Sequence, residues 1–221
     1  MTLNRKKSKP QSDNRPAVVK TRVELRTDAQ RHVYSMFPHV DVLFLLGPAG
    51  VGKSFLATAL AIRQIEREQA ERIIITRPIV ESEESLGYLP GDLREKTDPY
   101  MAPLYDQIER LKHDEAREFT RKYVTVSPLA YMRGRTFNDA VCIFDEAQNA
   151  NIKQLKLHLT RLGEGGKIII TGDTTQSDIR DSGLAEVVDR LNNVPGVGIV
   201  RFEGADIVRH PVVERILERL P

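Results

Sequence analysis

The octapeptide GPAGVGKS at positions 47–54 puts Gly47, Gly52, Lys53 and Ser54 at the spacing G-x-x-x-x-G-K-[ST]. Glycines so placed let a loop curl until its backbone N–H groups converge, and convergent N–H groups at a helix N-terminus attract phosphate. In such a cradle Gly47, Pro48, Ala49, Gly50, Val51, Gly52, Lys53, Ser54 and Phe55 surround a nucleotide. Lys53 would reach the β- and γ-phosphates and the Ser54 hydroxyl would ligate Mg²⁺. The plainer alternative is a Gly-rich turn with a solvated lysine. The position of the loop, between the apolar run VLFLL at 42–46 and a helix-like stretch from 53, favours the cradle.

A second constellation closes another apolar run. VCIFDEAQN at 141–149 ends in two adjacent carboxylates, Asp145 and Glu146. Ionised carboxylates are costly beside a core unless something pairs them, and in parallel sheets ligands gather beyond the carboxyl ends of strands. Asp145 is therefore the expected partner of Mg²⁺, directly or through its water, and Glu146 the group that polarises an attacking water. The alternative is an N-cap pair for the helix near 152, which NAN at 149–151 could supply equally well. TGDTTQSD at 171–178 follows a further apolar run and offers Asp173, Thr174 and Gln176, with Gln176 a candidate sensor of the γ-phosphate. Gly172 and Asp173 also suit an ordinary turn.

The elements that must position these groups follow from hydrophobic pattern. Apolar runs at 42–46, 72–76, 123–127, 141–145, 167–171 and 198–202 have the near-continuous hydrophobicity of strands buried on both faces. Helix-like stretches at 53–69, 100–112, 114–121, 152–162, 184–192 and 211–219 alternate with them, which predicts a layered α/β fold around a mostly parallel sheet. The charged, Gly/Pro-punctuated stretch 81–99 is too long for a simple strand-to-helix connection.

The 221 residues suit one α/β domain. The 33 Lys and Arg nearly balance the 31 Asp and Glu, so net charge alone does not mark a nucleic-acid binder. Residues 1–31 nevertheless hold nine basic side chains against Asp13, Glu24 and Asp28. Residues 1–20 read as a basic, disordered tail, either solubilising or polyanion-binding, ahead of a domain at 21–221. No apolar stretch approaches membrane-spanning length, no signal-peptide hydrophobic region follows the basic start, and Cys142 is the sole cysteine. A reduced, cytoplasmic setting is expected.

Taken in order, GPAGVGKS, ITRP, GYLPGDLREKTDPYMAPLYD, YMRGRTFNDAVCIFDEAQN, GDTTQSD and DIVRHPVVERI resemble the PhoH family of P-loop ATPases across about residues 27–219. The resemblance implies a RecA-like core akin to one motor domain of superfamily 1 helicases, with ATP and Mg²⁺ as cofactors and an association with RNA. By the same resemblance Gln30, in TDAQ, is the glutamine that reads adenine, and Gln176 the motif III glutamine. Two positions depart from the family pattern: Tyr88 where phenylalanine is expected, and Ser54 where threonine is commoner. Some family members carry a fused nuclease domain, for which these residues leave no room.

These readings converge on an Mg²⁺-dependent ATPase that acts on single-stranded RNA or DNA. A single motor core lacks the second domain that supplies an arginine in superfamily 1 helicases, so a homo-oligomer, ring or filament, is expected, and the family resemblance implies a hexamer. Arg209 is the candidate trans finger, with Arg133, Arg135 and Arg180 as rivals and a local ion pair with Asp206 or Glu214 as the plainer alternative. Arg77, Arg133, Arg135 and Phe137 are candidate nucleic-acid contacts, Gly134 permitting close approach and Phe137 stacking on a base. Alternatives that keep the nucleotide site are a P-loop small-molecule kinase with 81–99 as its lid, and a nucleotide-gated RNA-binding adaptor with little turnover. A water-positioning Glu146 argues against the kinase, which needs a base for an acceptor hydroxyl.

Overall fold

The computed structural model describes residues 21–78 and 93–208, with Val212, Ile216 and Arg219 beyond them. The basic tail at 1–20, residues 81–92 of the expected insertion, Arg209 and most of the expected helix at 211–219 lie outside the described residues.

The elements run α1 (Asp28–Met36), β1 (Val42–Leu46), α2 (Lys53–Glu66), β2 (Arg72–Thr76), α3 (Leu93–Lys112), α4 (Ala116–Tyr123), β3 (Val124–Val126), β4 (Ala140–Phe144), α5 (Ile152–Leu159), β5 (Lys167–Gly172), α6 (Leu184–Leu191) and β6 (Val197–Arg201). The six strands form one sheet in the order β3-β2-β4-β5-β1-β6, and every neighbouring pair is parallel. This is a RecA-like P-loop fold. β5 lies between β1 and β4, so its carboxyl end separates the glycine loop after β1 from the carboxylates after β4.

Burial explains the unbroken apolar runs. Successive strand residues point to opposite faces, and both faces are covered. Leu43, Leu45, Ile73, Ile75, Val141 and Ile143 pack with α1 to α4 on one side. Phe44, Leu46, Ile74, Cys142, Phe144 and Ile170 pack with α5 and α6 on the other. The edge strand β6 alternates between more and less buried positions, as a strand covered on one side does.

Three helical features differ from expectation. α1 has no counterpart among the expected helices; Thr27 caps it by accepting from the Gln30 N–H. α3 begins at Leu93, inside the stretch expected to be an insertion, and contains Pro99 and Pro103. The helix expected from 152 to 162 ends at Leu159, and its N-cap is Asn151, which forms a capping box with Gln154. The cap is thus supplied by an asparagine, and the two carboxylates are not used for it.

Candidate active site

The loop between β1 and α2 is held by its glycines and by its neighbours. Gly47 has φ of +145°, and a Cβ there would lie 2.5 Å from the Phe202 carbonyl oxygen, so only glycine passes between β1 and the end of β6. The Gly47 N–H donates to Gly172 O, and the Val208 N–H donates to Gly50 O. Gly52, at φ of +86°, turns the chain into α2, whose first N–H groups face the loop. Lys53 Nζ donates to Gly47 O at 2.6 Å and to Pro48 O at 2.8 Å. Burial pushes its ammonium below the usual lysine range, opposed by the charges of Asp173, Glu146 and Asp145.

The end of β4 meets this loop directly. Asp145 is 2% exposed. Its Oδ1 accepts from Ser54 Oγ at 2.7 Å and from Thr171 Oγ1 at the end of β5. The intervening strand thus contributes the second hydroxyl. The donor set, one carboxylate and two hydroxyls, is all oxygen and suits a hard cation such as Mg²⁺, which binds one or two protein oxygens and completes its shell with water and phosphate. Among the described residues no cluster of three or more His, Cys, Asp or Glu forms a separate metal site.

Glu146 follows in a left-handed backbone conformation, φ 55° and ψ 43°, at the entry to the 3₁₀ turn Ala147–Asn149. Its side chain meets Gln148, whose Nε2 donates to Glu146 Oε2. Gln148 Oε1 in turn accepts the Asp173 N–H at 3.1 Å. One amide therefore links the carboxylate after β4 to the turn after β5. Asp173 Oδ1 accepts from the Thr175 N–H and hydroxyl, which fixes the turn that carries Gln176. Arg77 Nη1 lies 3.9 Å from Asp145 Oδ2, and Arg77 Nη2 lies 3.7 Å from Glu146 Oε1.

Most of the expected nucleotide residues converge on one cleft of about 540 Å³. Its walls include Gln30, residues 49–55, Glu146, Gln148, Asp173 and Gln176. Gln30 is 6% exposed and its amide is engaged with backbone: Oε1 accepts the Arg26 N–H at 2.8 Å and Nε2 donates to Val51 O at 3.2 Å. Gln148, Thr171, Gln107 and Arg110 were not anticipated from sequence; the fourth position of DEAQ was the available signal for Gln148.

The expected nucleic-acid contacts separate. Arg133 and Arg135 are exposed on either side of Gly134, whose φ is +76°. Phe137 corrects the expectation of a base-stacking ring: it is 1% exposed, paired through a bridge with Leu162 and packed among Phe44, Ile74 and Phe144 in the core. Arg135 lies over its ring, 4.9 Å from the centroid, so no face is open to a base. Arg77 is turned toward the carboxylates rather than outward with Arg133 and Arg135. Arg209 lies outside the described residues. No described helix is long and apolar enough to cross a membrane.

Comparison with known proteins agrees with this geometry. The PhoH-like protein family matches residues 22–220. A PhoH-like protein of Bacillus subtilis (strain 168) is 45% identical over 202 residues, covering 89% of this chain and 63% of the relative. Protein PhoH of Escherichia coli (strain K12) is 40% identical over 199 residues, covering 87% and 56%. The chain spans between about half and two thirds of the length of the curated relatives it matches. Among solved structures, the large terminase from a thermophilic bacteriophage superposes with a TM-score of 0.57 at 10% identity, covering 90% of this chain and 51% of the terminase, a likeness of fold. With a family match over nearly its whole length and a glycine loop facing an acidic strand end, the chain belongs to the PhoH family.

Proposed function

We propose that this chain is an Mg²⁺-dependent ATPase coupled to single-stranded RNA or DNA, working as a homo-oligomer, with residues 21–221 as the ATPase unit and 1–20 as a basic arm. The observation that carries the reading is the 2.7 Å contact between Ser54 Oγ and Asp145 Oδ1, which brings the hydroxyl of the phosphate loop onto the strand-end carboxylate.

In this reading the loop N–H groups and Lys53 hold the β- and γ-phosphates, which requires Lys53 Nζ to leave the carbonyls of Gly47 and Pro48. Ser54 and Asp145 would hold Mg²⁺, which when bound neutralises phosphate charge. Glu146 orients a water whose oxygen attacks the γ-phosphorus; the bond to the bridging oxygen breaks, and ADP and phosphate leave. Gln148 keeps the Glu146 carboxylate in place, and Gln176 is the proposed reporter of the γ-phosphate to a nucleic-acid groove. Arg133 and Arg135 are the proposed phosphate contacts of that groove, since both are exposed. A hexamer with Arg209 reaching the neighbouring site is the proposed assembly.

The test is ATP binding and hydrolysis by the wild type, Lys53→Ala and Glu146→Gln, with and without RNA and DNA strands at fixed salt. Lys53→Ala should lose both binding and turnover. Glu146→Gln should bind ATP and hydrolyse it at least about a hundredfold more slowly, the scale of loss when the group that positions a reactant is altered. Comparable hydrolysis by wild type and Glu146→Gln refutes the assignment. Turnover indifferent to every strand removes the coupling, and turnover that requires a small acceptor makes the chain a kinase.

A further inference from the structure

Segment 21–26 links the end of α2 to α1 and is fastened at both ends. The Thr21 N–H donates to both oxygens of the Glu66 carboxylate, at 3.0 and 3.1 Å, and the Thr21 hydroxyl donates to Oε1 at 2.5 Å. At the other end the Arg26 N–H donates to Gln30 Oε1. Between the fastenings the side chains alternate: Val23 and Leu25 are half-buried and pack with the core, whereas Arg22, Glu24 and Arg26 are exposed. A cavity of about 420 Å³ lies between this segment and the two helices; it shares only Arg22 with the walls of the nucleotide cleft.

The cavity has more donors than acceptors. Arg22, Arg63 and Arg67 line it, and none of them makes an ion pair among the described residues. Glu66 supplies a carboxylate to the same wall, but Lys112 Nζ, 3.1 Å away, already answers its charge. The carboxyl end of α2 adds about half a negative charge, which three guanidiniums exceed. The Arg63 guanidinium lies over the Tyr34 ring, 5.3 Å from its centroid. The Tyr34 hydroxyl is shielded from solvent and meets no hydrogen-bond partner. Burial pushes this phenol up to about 12 against the pull of Arg63, so it stays protonated at neutral pH and is a donor without an acceptor. Residues 1–20, which lead into the segment, hold six basic side chains against Asp13 and so carry the same sign as the arginines.

We propose that this cavity is a second ligand site, for a small organic anion: its flat apolar body lies against Val23, Leu25 and the Tyr34 ring, and its phosphate or carboxylate meets Arg63 and the Tyr34 hydroxyl. A guanidinium presents a planar fork of N–H groups that matches either anion with two parallel hydrogen bonds. The phenol supplies the acceptor's third contact and gains the partner it lacks. The volume falls within the range of about 300–1,000 Å³ usual for small-molecule pockets. The phosphate loop has no part in the site, which therefore stands or falls separately from the nucleotide reading.

The experiment is calorimetric titration of the full chain with naphthyl phosphate, naphthoate and naphthol, the last carrying the flat body without the anion. At least one of the two anions should bind with a single-site isotherm, and the tighter of them identifies the acidic group the site takes. Naphthol should bind at least about tenfold more weakly, the scale of a hydrogen bond to a charged group. Arg63→Ala should weaken the anion by at least about tenfold, on the same scale. Tyr34→Phe keeps the ring and its packing, so the fold is not at stake, and should weaken the anion about three- to tenfold, the scale of one lost hydrogen bond. Lys53→Ala should leave the affinity unchanged. Failure of both anions to bind, naphthol binding as tightly as they do, or wild-type affinity in Arg63→Ala or Tyr34→Phe overturns the site. A loss in Lys53→Ala as large as that in Arg63→Ala puts the anion in the nucleotide cleft and overturns it equally.

Discussion

Replacing Gln148 by leucine should slow hydrolysis without weakening ATP binding. The side chain is nearly isosteric and the position is buried, so leucine fits, but both amide contacts disappear. The Asp173 N–H loses its acceptor, and an unsatisfied buried donor costs about 1–3 kcal/mol of stability. Glu146 keeps Arg77 at 3.7 Å, too long to fix the plane of its carboxylate. A catalytic group displaced by about 1 Å loses about 10²-fold in rate, so kcat should fall between about 10- and 100-fold. Gln148 contacts Glu146 and the Asp173 turn rather than a phosphate-loop backbone group, so KM for ATP should hold. Steady-state hydrolysis beside urea unfolding separates the two losses. Gln148→Glu is the control: it retains an acceptor for the Asp173 N–H but sets a like charge against Glu146, so its turnover should stay low. Wild-type kcat in Gln148→Leu, or recovery of turnover in Gln148→Glu, refutes the positioning role.

Two further outcomes concern stability. His158 is fully buried against Phe144, with both ring nitrogens unpaired, and burial pushes its pKa down to about 3. The fold therefore favours neutral imidazole: this contribution is complete above about pH 6.5 and is lost as pH falls toward 3, by about 2 kcal/mol at pH 5. Urea unfolding at pH 7 and pH 5 should show a smaller drop for His158→Leu than for wild type, and parallel drops would contradict it. Gly47→Ala should lower stability by about 1–3 kcal/mol, because its Cβ would meet the Phe202 carbonyl at 2.5 Å in a backbone conformation that disfavours alanine. Thermal unfolding at wild-type temperature would contradict that.

The sheet was legible because its central strands are buried on both faces and even its edges keep apolar side chains, so each strand left an apolar run whose limits shifted by no more than one residue at either end. The glycine loop and the Asp145–Glu146 strand end were legible because their spacing is local. What sequence concealed was mostly direction. Phe137 lies in an arginine-flanked stretch that reads as surface, yet its bridge to Leu162 turns it inward. Arg77 follows an apolar strand as an outward cation would, but β2 pairs with β4 and brings it beside the carboxylates. α3 opens with the charged and proline-bearing LREKTDP, which reads as loop chemistry, although the chain is helical from Leu93. α1 did leave a signal: Thr27 and Gln30 stand at the spacing of a capping box, and the Gln30 N–H does bond Thr27. Gln148 acts through a contact between two strand ends, and no local pattern encodes which strand lies beside which.

The left-handed backbone of Glu146 sets the site against the stability of the chain. A non-glycine residue in that conformation costs about 1 kcal/mol or more, and glycine or asparagine would relieve much of it. If the carboxylate is what hydrolysis requires, variants favoured by thermodynamic stability at position 146 are those that abolish turnover. Laboratory selection for thermal robustness alone would drift toward inactive chains here, while selection that also demands hydrolysis would retain glutamate and find its stabilising changes elsewhere.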